Sequence, residues 1–152
     1  MSYTSAKSRP TYTFDANLEF KDAGLVAASA AATTDSAARV VDVGTGFFAA
    51  DMVIDVSAIE VDTGNESFKI TVEGSDASGF SSGTEVELQS LLIGDSSLTG
   101  GDADDVVGRY VLPFTNRQVN GTTYRYLRLY TTVVGTIGSG INYTAFAAPH
   151  QS

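Results

Sequence analysis

Residues able to carry nucleophilic chemistry are scarce in this sequence. It contains no cysteine and one histidine, His150, which lies two residues before the end. A nucleophilic triad needs a histidine that its surroundings hold in place, and no P-loop or dinucleotide-binding motif is present. We interpret His150 as a solvated terminal side chain, and we expect neither an enzyme nor a cofactor.

Carboxylates are more numerous, and two groupings of them could do chemistry. Two pairs share a predicted strand face, as a glycosidase would require, namely Asp51 with Asp55 and Glu85 with Glu87. A second grouping could offer oxygen ligands to calcium, and its members are Asp102, Asp104 and Asp105. The cluster lacks the spacing and the final glutamate of an EF-hand loop, and the chain has no tryptophan to form a sugar platform. Acidic residues two or four positions apart are common in acidic β-proteins, so we do not expect a glycosidase. We interpret the cluster of residues 102–105 as a solvated acidic loop.

Tyrosine and arginine crowd one predicted strand in the last third of the chain. Its alternating members are Tyr124, Tyr126, Arg128 and Tyr130. Both residue types anchor protein interfaces, whereas aromatic side chains on strands also fill cores. Interface and core remain open as alternatives for this strand.

The net charge of −9 argues against a nucleic-acid partner. All 18 acidic residues lie within residues 1–105, whereas residues 106–152 carry four arginines and no acid. Four arginines are too few for a stripe that follows phosphates. No run of about 20 apolar residues is present, and the first residues lack the apolar core of a signal peptide. We therefore expect no membrane association.

The chain divides into an arm and one domain. Residues 1–10 are polar and end in Pro10, which favours an extended N-terminal arm. Residues 11–149 have the length and composition of a single domain. Period-two alternation predicts a strand over residues 11–20. The alanine-rich segment 27–39 has no large apolar side chain at helical spacing, so we predict small-residue strand and loop, with a short helix as the alternative.

The middle of the chain gives the clearest strand patterns. The alternation of residues 51–61 shifts phase near Ser57, which predicts a β-bulge. A turn at residues 62–65 predicts a hairpin between this strand and residues 68–73. Further strands follow over residues 86–93, 110–114, 122–134 and 141–147, and Pro113 indicates an edge or a bend. About eight short strands predict an all-β fold, an antiparallel β-sandwich of the jelly-roll type.

Several segments resemble a known family. They are YTFDANLEF (12–20), VSAIEV (56–61), GSD (74–76), GRYVLPFTN (108–116) and NGTTYRYLRLYTTVVGTIGSGINYTAF (120–146). Together they resemble the capsid cement, or decoration, proteins of podovirus-type tailed bacteriophages, and the likeness extends from Tyr12 to Phe146. It implies a non-enzymatic jelly-roll protein on the outer surface of an icosahedral shell, made in the host cytoplasm. It also implies a symmetric homo-oligomer that bridges neighbouring major capsid proteins.

The resemblance also directs attention to particular residues. We expect the arm to contact the capsid through Tyr3, Lys7, Arg9 and Tyr12. The strand with Tyr124, Tyr126, Arg128 and Tyr130 is the candidate subunit contact, with a dimer favoured over a trimer. The alternative function is a carbohydrate- or receptor-binding jelly-roll module of a phage tail or fibre, which would expose aromatic side chains at loop tips.

Overall fold

The structure is a computed structural model that describes residues 12–81, 83–94 and 107–149. Twelve strands are formed there: β1 (Glu19–Lys21), β2 (Leu25–Val26), β3 (Ala30–Ala31), β4 (Thr33–Thr34), β5 (Ala37–Ala38), β6 (Val41–Asp42), β7 (Ala49–Ile59), β8 (Ser67–Ser75), β9 (Val86–Gly94), β10 (Gly108–Thr115), β11 (Tyr126–Val134) and β12 (Ile141–Ala148). A single 3-10 turn (Ala16–Leu18) precedes β1.

These strands form two large antiparallel sheets that pack into a β-sandwich, as the sequence predicts. Sheet 1 has the order β1-β12-β7-β10, with β2 also paired to β12. Sheet 2 has the order β3-β11-β8-β9, with β6 also paired to β11. The alanine-rich segment forms short strands, and its β4 and β5 pair with each other. The strand-and-loop prediction is therefore confirmed there, and the helical alternative is wrong.

The core lies between the two sheets. Sheet 1 contributes Met52 and Ile54, and sheet 2 contributes Phe68, Ile70 and Leu129, all fully buried. A hydrogen bond of 2.6 Å joins the Tyr143 hydroxyl of β12 to Thr131 Oγ1 of β11. Burial raises the pKa of Tyr143 to about 12, so the hydroxyl keeps its proton across the physiological range.

The predicted β-bulge is present. Asn142 lies opposite Ala58 and Tyr143 lies opposite Val56, so Ser57 is the extra residue of β7. One inserted residue moves the side chains that follow it to the opposite face of the sheet. The side chain of Ile59 therefore packs against the core.

Two local predictions are wrong. Most of residues 11–20 is not a strand, because Asp15 Oδ1 accepts a hydrogen bond from the Asn17 amide and starts the 3-10 turn. This turn takes the chain around the sandwich edge, so that Phe20 enters the core while Phe14 stays exposed. The strands β7 and β8 do not form a hairpin either, because they lie in different sheets.

The sandwich has two ends, named here after the residues that organise them. At the Asn116 end, β7 begins, β10 and β12 end, and the loop of residues 116–125 leads into β11. At the Glu60 end, β7 and β11 end, and residues 135–140 lead into β12.

Candidate interaction surfaces

Tyr12 fixes the start of the described chain to the outer face of sheet 1. Its hydroxyl donates to Asp51 Oδ2 at 3.1 Å, and its ring packs against Val53, Phe146 and Ala148. Desolvation, and then the hydrogen bond with Asp51, raise the pKa of Tyr12. Tyr12 is therefore held at a fixed point at the Asn116 end.

The other three predicted arm contacts, Tyr3, Lys7 and Arg9, lie outside the described residues, as does residue 11. The sequence-derived arm boundary at Pro10 lies there as well. Only the anchor at Tyr12 has a structural description.

The outer face of sheet 1 is apolar at its centre. Phe14 packs edge-to-face on Phe146 with ring centroids 5.4 Å apart, yet 54% of Phe14 remains exposed. On the edge strand β10, Val111 lies opposite Val53 and is also exposed. A sandwich needs only its inner faces to be apolar, so this surface has the composition of a contact with another molecule.

On sheet 2, the structure brings together three of the four predicted subunit-contact residues. Tyr126, Arg128 and Tyr130 alternate along β11 with Leu127 and Leu129, whose side chains are buried in the core. The three therefore form one row on the outer face of the sheet.

Tyr124 lies apart from this row. Gly74 is opposite Leu127, and a Cβ at Gly74 would point to the core side and meet Leu88 and Tyr124. Tyr124 therefore packs at the core side of sheet 2, and its hydroxyl donates to Gln118 at 2.7 Å.

The guanidinium of Arg128 already has contacts with other side chains of its own chain. Its Nε donates to Glu73 Oε1 at 2.8 Å, and only 18% and 15% of the two side chains are exposed. Phe80, from the loop after β8, covers the guanidinium with its ring centroid 4.4 Å away. The backbone of Phe80 has a φ of 48°, so this loop folds back onto the sheet. Tyr126 and Tyr130 remain as the half-exposed members of the row.

The residue that organises the Asn116 end was missed in the sequence. Asn116 is fully buried, and its Nδ2 donates to the carbonyl oxygens of Gly46 and Tyr124, both at 2.9 Å. Its Oδ1 accepts from the Phe48 amide at 2.8 Å. An asparagine directly after an edge strand and shortly before an Asn-Gly turn was the available signal. Asn116 thus ties residues 46–48 to the loop of residues 116–125.

Two carboxylates organise the opposite end. Glu60 accepts hydrogen bonds from the amides of Gly138, Ser139 and Gly140 and from the Ser139 hydroxyl. These donors lower the pKa of Glu60 to about 2, the amide of Gly138 contributing most. Glu66, also buried, accepts from the amides of residues 63–65. Both side chains hold loops in place.

Three of the four carboxylates in the predicted pairs are engaged in contacts of their own. Asp51 accepts from Tyr12, Asp55 forms a two-point ion pair with Arg109, and Glu87 pairs with Lys69 at 2.8 Å.

Lys21 is a buried cation. Its ammonium group donates to the carbonyl oxygens of Asp22, Gly24 and Tyr143 at 2.8 to 3.0 Å. It borders a cavity of about 220 Å³ beside the alanine-rich segment. Desolvation lowers the pKa of Lys21, and three carbonyl acceptors give it a structural role between β1 and β12.

Within the described ranges, no group of three or more histidine, cysteine, aspartate or glutamate side chains is placed to hold a metal. The acidic cluster of residues 102–105 and His150 lie outside those ranges. The described part of the chain also has no helix long and apolar enough to span a membrane.

No protein-family model matches the chain, and no curated protein matches it significantly. The fold and surfaces define its described part as an all-β sandwich with Tyr12 anchored on the apolar outer face of sheet 1.

Proposed function

We propose that this protein is a non-enzymatic structural component of a bacteriophage virion. It would bind the outer surface of the icosahedral capsid and cement neighbouring major capsid proteins. The observation that carries this proposal is the anchor at Tyr12, because an arm that leaves from a fixed point on a stable sandwich suits clamping a neighbouring protein. The sequence resemblance supports the same role.

The apolar outer face of sheet 1 suits the same partner. Phe14 and Val111 are exposed beside the anchor, so a protein docked there would bury apolar area and gain about 25 cal/mol per Å² of it. In the proposed mechanism, many copies add contact area across capsomer boundaries. Internal pressure must then break these contacts before the shell opens. Copies linked in an oligomer gain further from high effective concentration.

The finer features of the proposal concern topology and assembly. The sandwich would be a jelly roll, and the row of Tyr126, Arg128 and Tyr130 would form the contact of a homo-oligomer, with a dimer favoured over a trimer. A net charge of −9 suits the outside of the shell better than a position against packaged DNA.

Deletion of residues 1–10 tests the clamping role. Empty expanded heads of the phage that encodes the chain would be mixed with intact and truncated protein, sedimented, and assayed for bound protein. The truncated protein should fold normally and bind much more weakly. A control variant, Lys69→Gln, removes one cation from the outer face of sheet 2 and should bind normally. Equal occupancy of truncated and intact protein would reject the arm as the clamp.

One observation favours the alternative function, a carbohydrate- or receptor-binding module of a tail or fibre. Phe47 is an exposed aromatic side chain in a loop, as such a module requires. A glycan array that captures the intact protein, together with failure to bind heads, would favour this alternative over cementing.

A further inference from the structure

Three side chains form an exposed tip at the Asn116 end, outside the two surfaces assigned to the cementing role. The tip consists of Phe47, Arg117 and Val119. Phe47 is 58% exposed and Val119 is fully exposed. The Arg117 guanidinium lies 5.0 Å from the centroid of the Phe47 ring. Aromatic and arginine side chains placed together are frequent anchors of protein interfaces.

The tip is held in position before any partner arrives. Asn116 bonds to the main chain on both sides of Phe47, at Gly46 and Phe48, and it directly precedes Arg117. The Gln118 amide donates to the Thr122 carbonyl at 2.7 Å, which closes the turn around Val119. Because these loops are already ordered, a partner that binds the tip loses little conformational entropy.

The charge of the tip is unbalanced. Arg109, Arg125 and Arg128 each form an ion pair with a carboxylate. No carboxylate of the described residues lies within ion-pair distance of Arg117. Residues 43–48 and 116–125 contain no acidic residue at all. Among the residues that the structure describes, Arg117 of the tip is thus a cation with no carboxylate in ion-pair distance, and it lies beside apolar surface on a chain whose net charge is −9.

The tip and the Tyr12 anchor lie at the same end of the sandwich. Phe47 comes just before β7, and Asp51, the acceptor of the Tyr12 hydroxyl, is the third residue of that strand. The arm carries two further cations, Lys7 and Arg9. One partner surface can therefore engage both features.

We infer that the tip is a second contact with the major capsid protein, one that inserts Phe47 and Val119 into an apolar depression and pairs Arg117 with a carboxylate at its rim. This inference rests on the proposed cementing function. Beyond that function, the inference assigns the partner an acidic, partly apolar docking surface. It also gives this protein a second point of attachment beside the arm.

The test measures the affinity of tip variants for empty expanded heads at fixed salt. We expect Phe47→Ala and Arg117→Gln each to raise the dissociation constant about tenfold, as anchor residues do. Val119→Asp should weaken binding similarly. The matched controls are Leu25→Ala, whose side chain is 59% exposed at the Glu60 end, and Lys69→Gln. Both should bind as the unaltered protein does.

Thermal unfolding of each variant checks the fold, and exposed substitutions should leave the midpoint nearly unchanged. Failure of the unaltered protein to bind heads would overturn the cementing function and the tip contact together. Normal binding by the tip variants, with the unaltered protein bound, would overturn the tip contact alone. Equal weakening by tip variants and controls would also overturn it, because the effect would not be local to the tip.

Discussion

Replacing Asn116 with alanine is expected to destabilise the protein and to weaken its binding to heads. The substitution removes three side-chain hydrogen bonds of 2.8 to 2.9 Å, to Gly46, Phe48 and Tyr124. At about 1 kcal/mol of net stability for each bond, the free energy of unfolding should fall by about 2–4 kcal/mol. In a domain of this size, that corresponds to a drop of roughly 5–15 °C in the melting midpoint.

Urea unfolding followed by circular dichroism measures this loss, and the same variant is then tested for binding at a temperature where it is folded. Asn120→Ala is the matched control, because Asn120 is exposed in the same loop and its side chain accepts one hydrogen bond, from the Thr122 amide. It should cost less than about 1 kcal/mol. A loss below about 1 kcal/mol for Asn116→Ala, or full head binding by the folded variant, would refute the role assigned to Asn116.

Three further predictions concern the rest of the sandwich. The pKa of Glu60 is lowered to about 2, so its stabilising contribution is complete above about pH 4.5 and is lost as the pH falls toward 2; unfolding of Glu60→Gln at pH 7 and pH 3 should show a smaller acid-induced loss than the unaltered protein. Tyr143→Phe and Thr131→Val should each cost about 1–2 kcal/mol in urea unfolding, whereas the double variant should cost less than their sum; strict additivity would exclude the hydrogen bond between the sheets. Gly140→Ala should lower the thermal unfolding midpoint more than Gly121→Ala. Both glycines have a φ near 94°, but only the new Cβ at Gly140 would collide with a carbonyl oxygen of β2. Equal losses of stability would contradict the close packing at Gly140.

The fold class and most strands could be predicted from local patterns, because alternation records which face of a strand is buried. Phe68 and Ile70 alternate with polar residues and lie in the core as expected. The bulge at Ser57 was equally visible, since an inserted residue changes the phase of the pattern.

Sheet membership was not visible in the sequence. The turn between β7 and β8 marks a reversal of the chain but does not say whether the next strand pairs or crosses to the other sheet. The crossing is held by Glu60 and Glu66. Their carboxylate oxygens accept hydrogen bonds from backbone amides in two separate loops. The contacts of Glu60 join residues up to 80 positions apart, and no local pattern records them.

The candidate surfaces were predictable only in part. The pattern placed Tyr126, Arg128 and Tyr130 on one face. The ion pair of Arg128 with Glu73 depends on the pairing of β11 with β8, and the cover by Phe80 depends on the loop after β8. Tyr12 was singled out as a contact residue, whereas its anchor at Asp51 depends on a strand 39 residues away. The tip escaped notice because Phe47 and Arg117 are distant in the chain, and the fold brings the guanidinium over the ring.

The most direct test of the cementing role is cryo-electron microscopy of the virion that carries this protein. We expect regular density for the β-sandwich on the outer shell, bridging capsomers, with the Asn116 end and the Tyr12 anchor against the major capsid protein. Density confined to the tail or fibres, or absence of the sandwich from the shell, would contradict it.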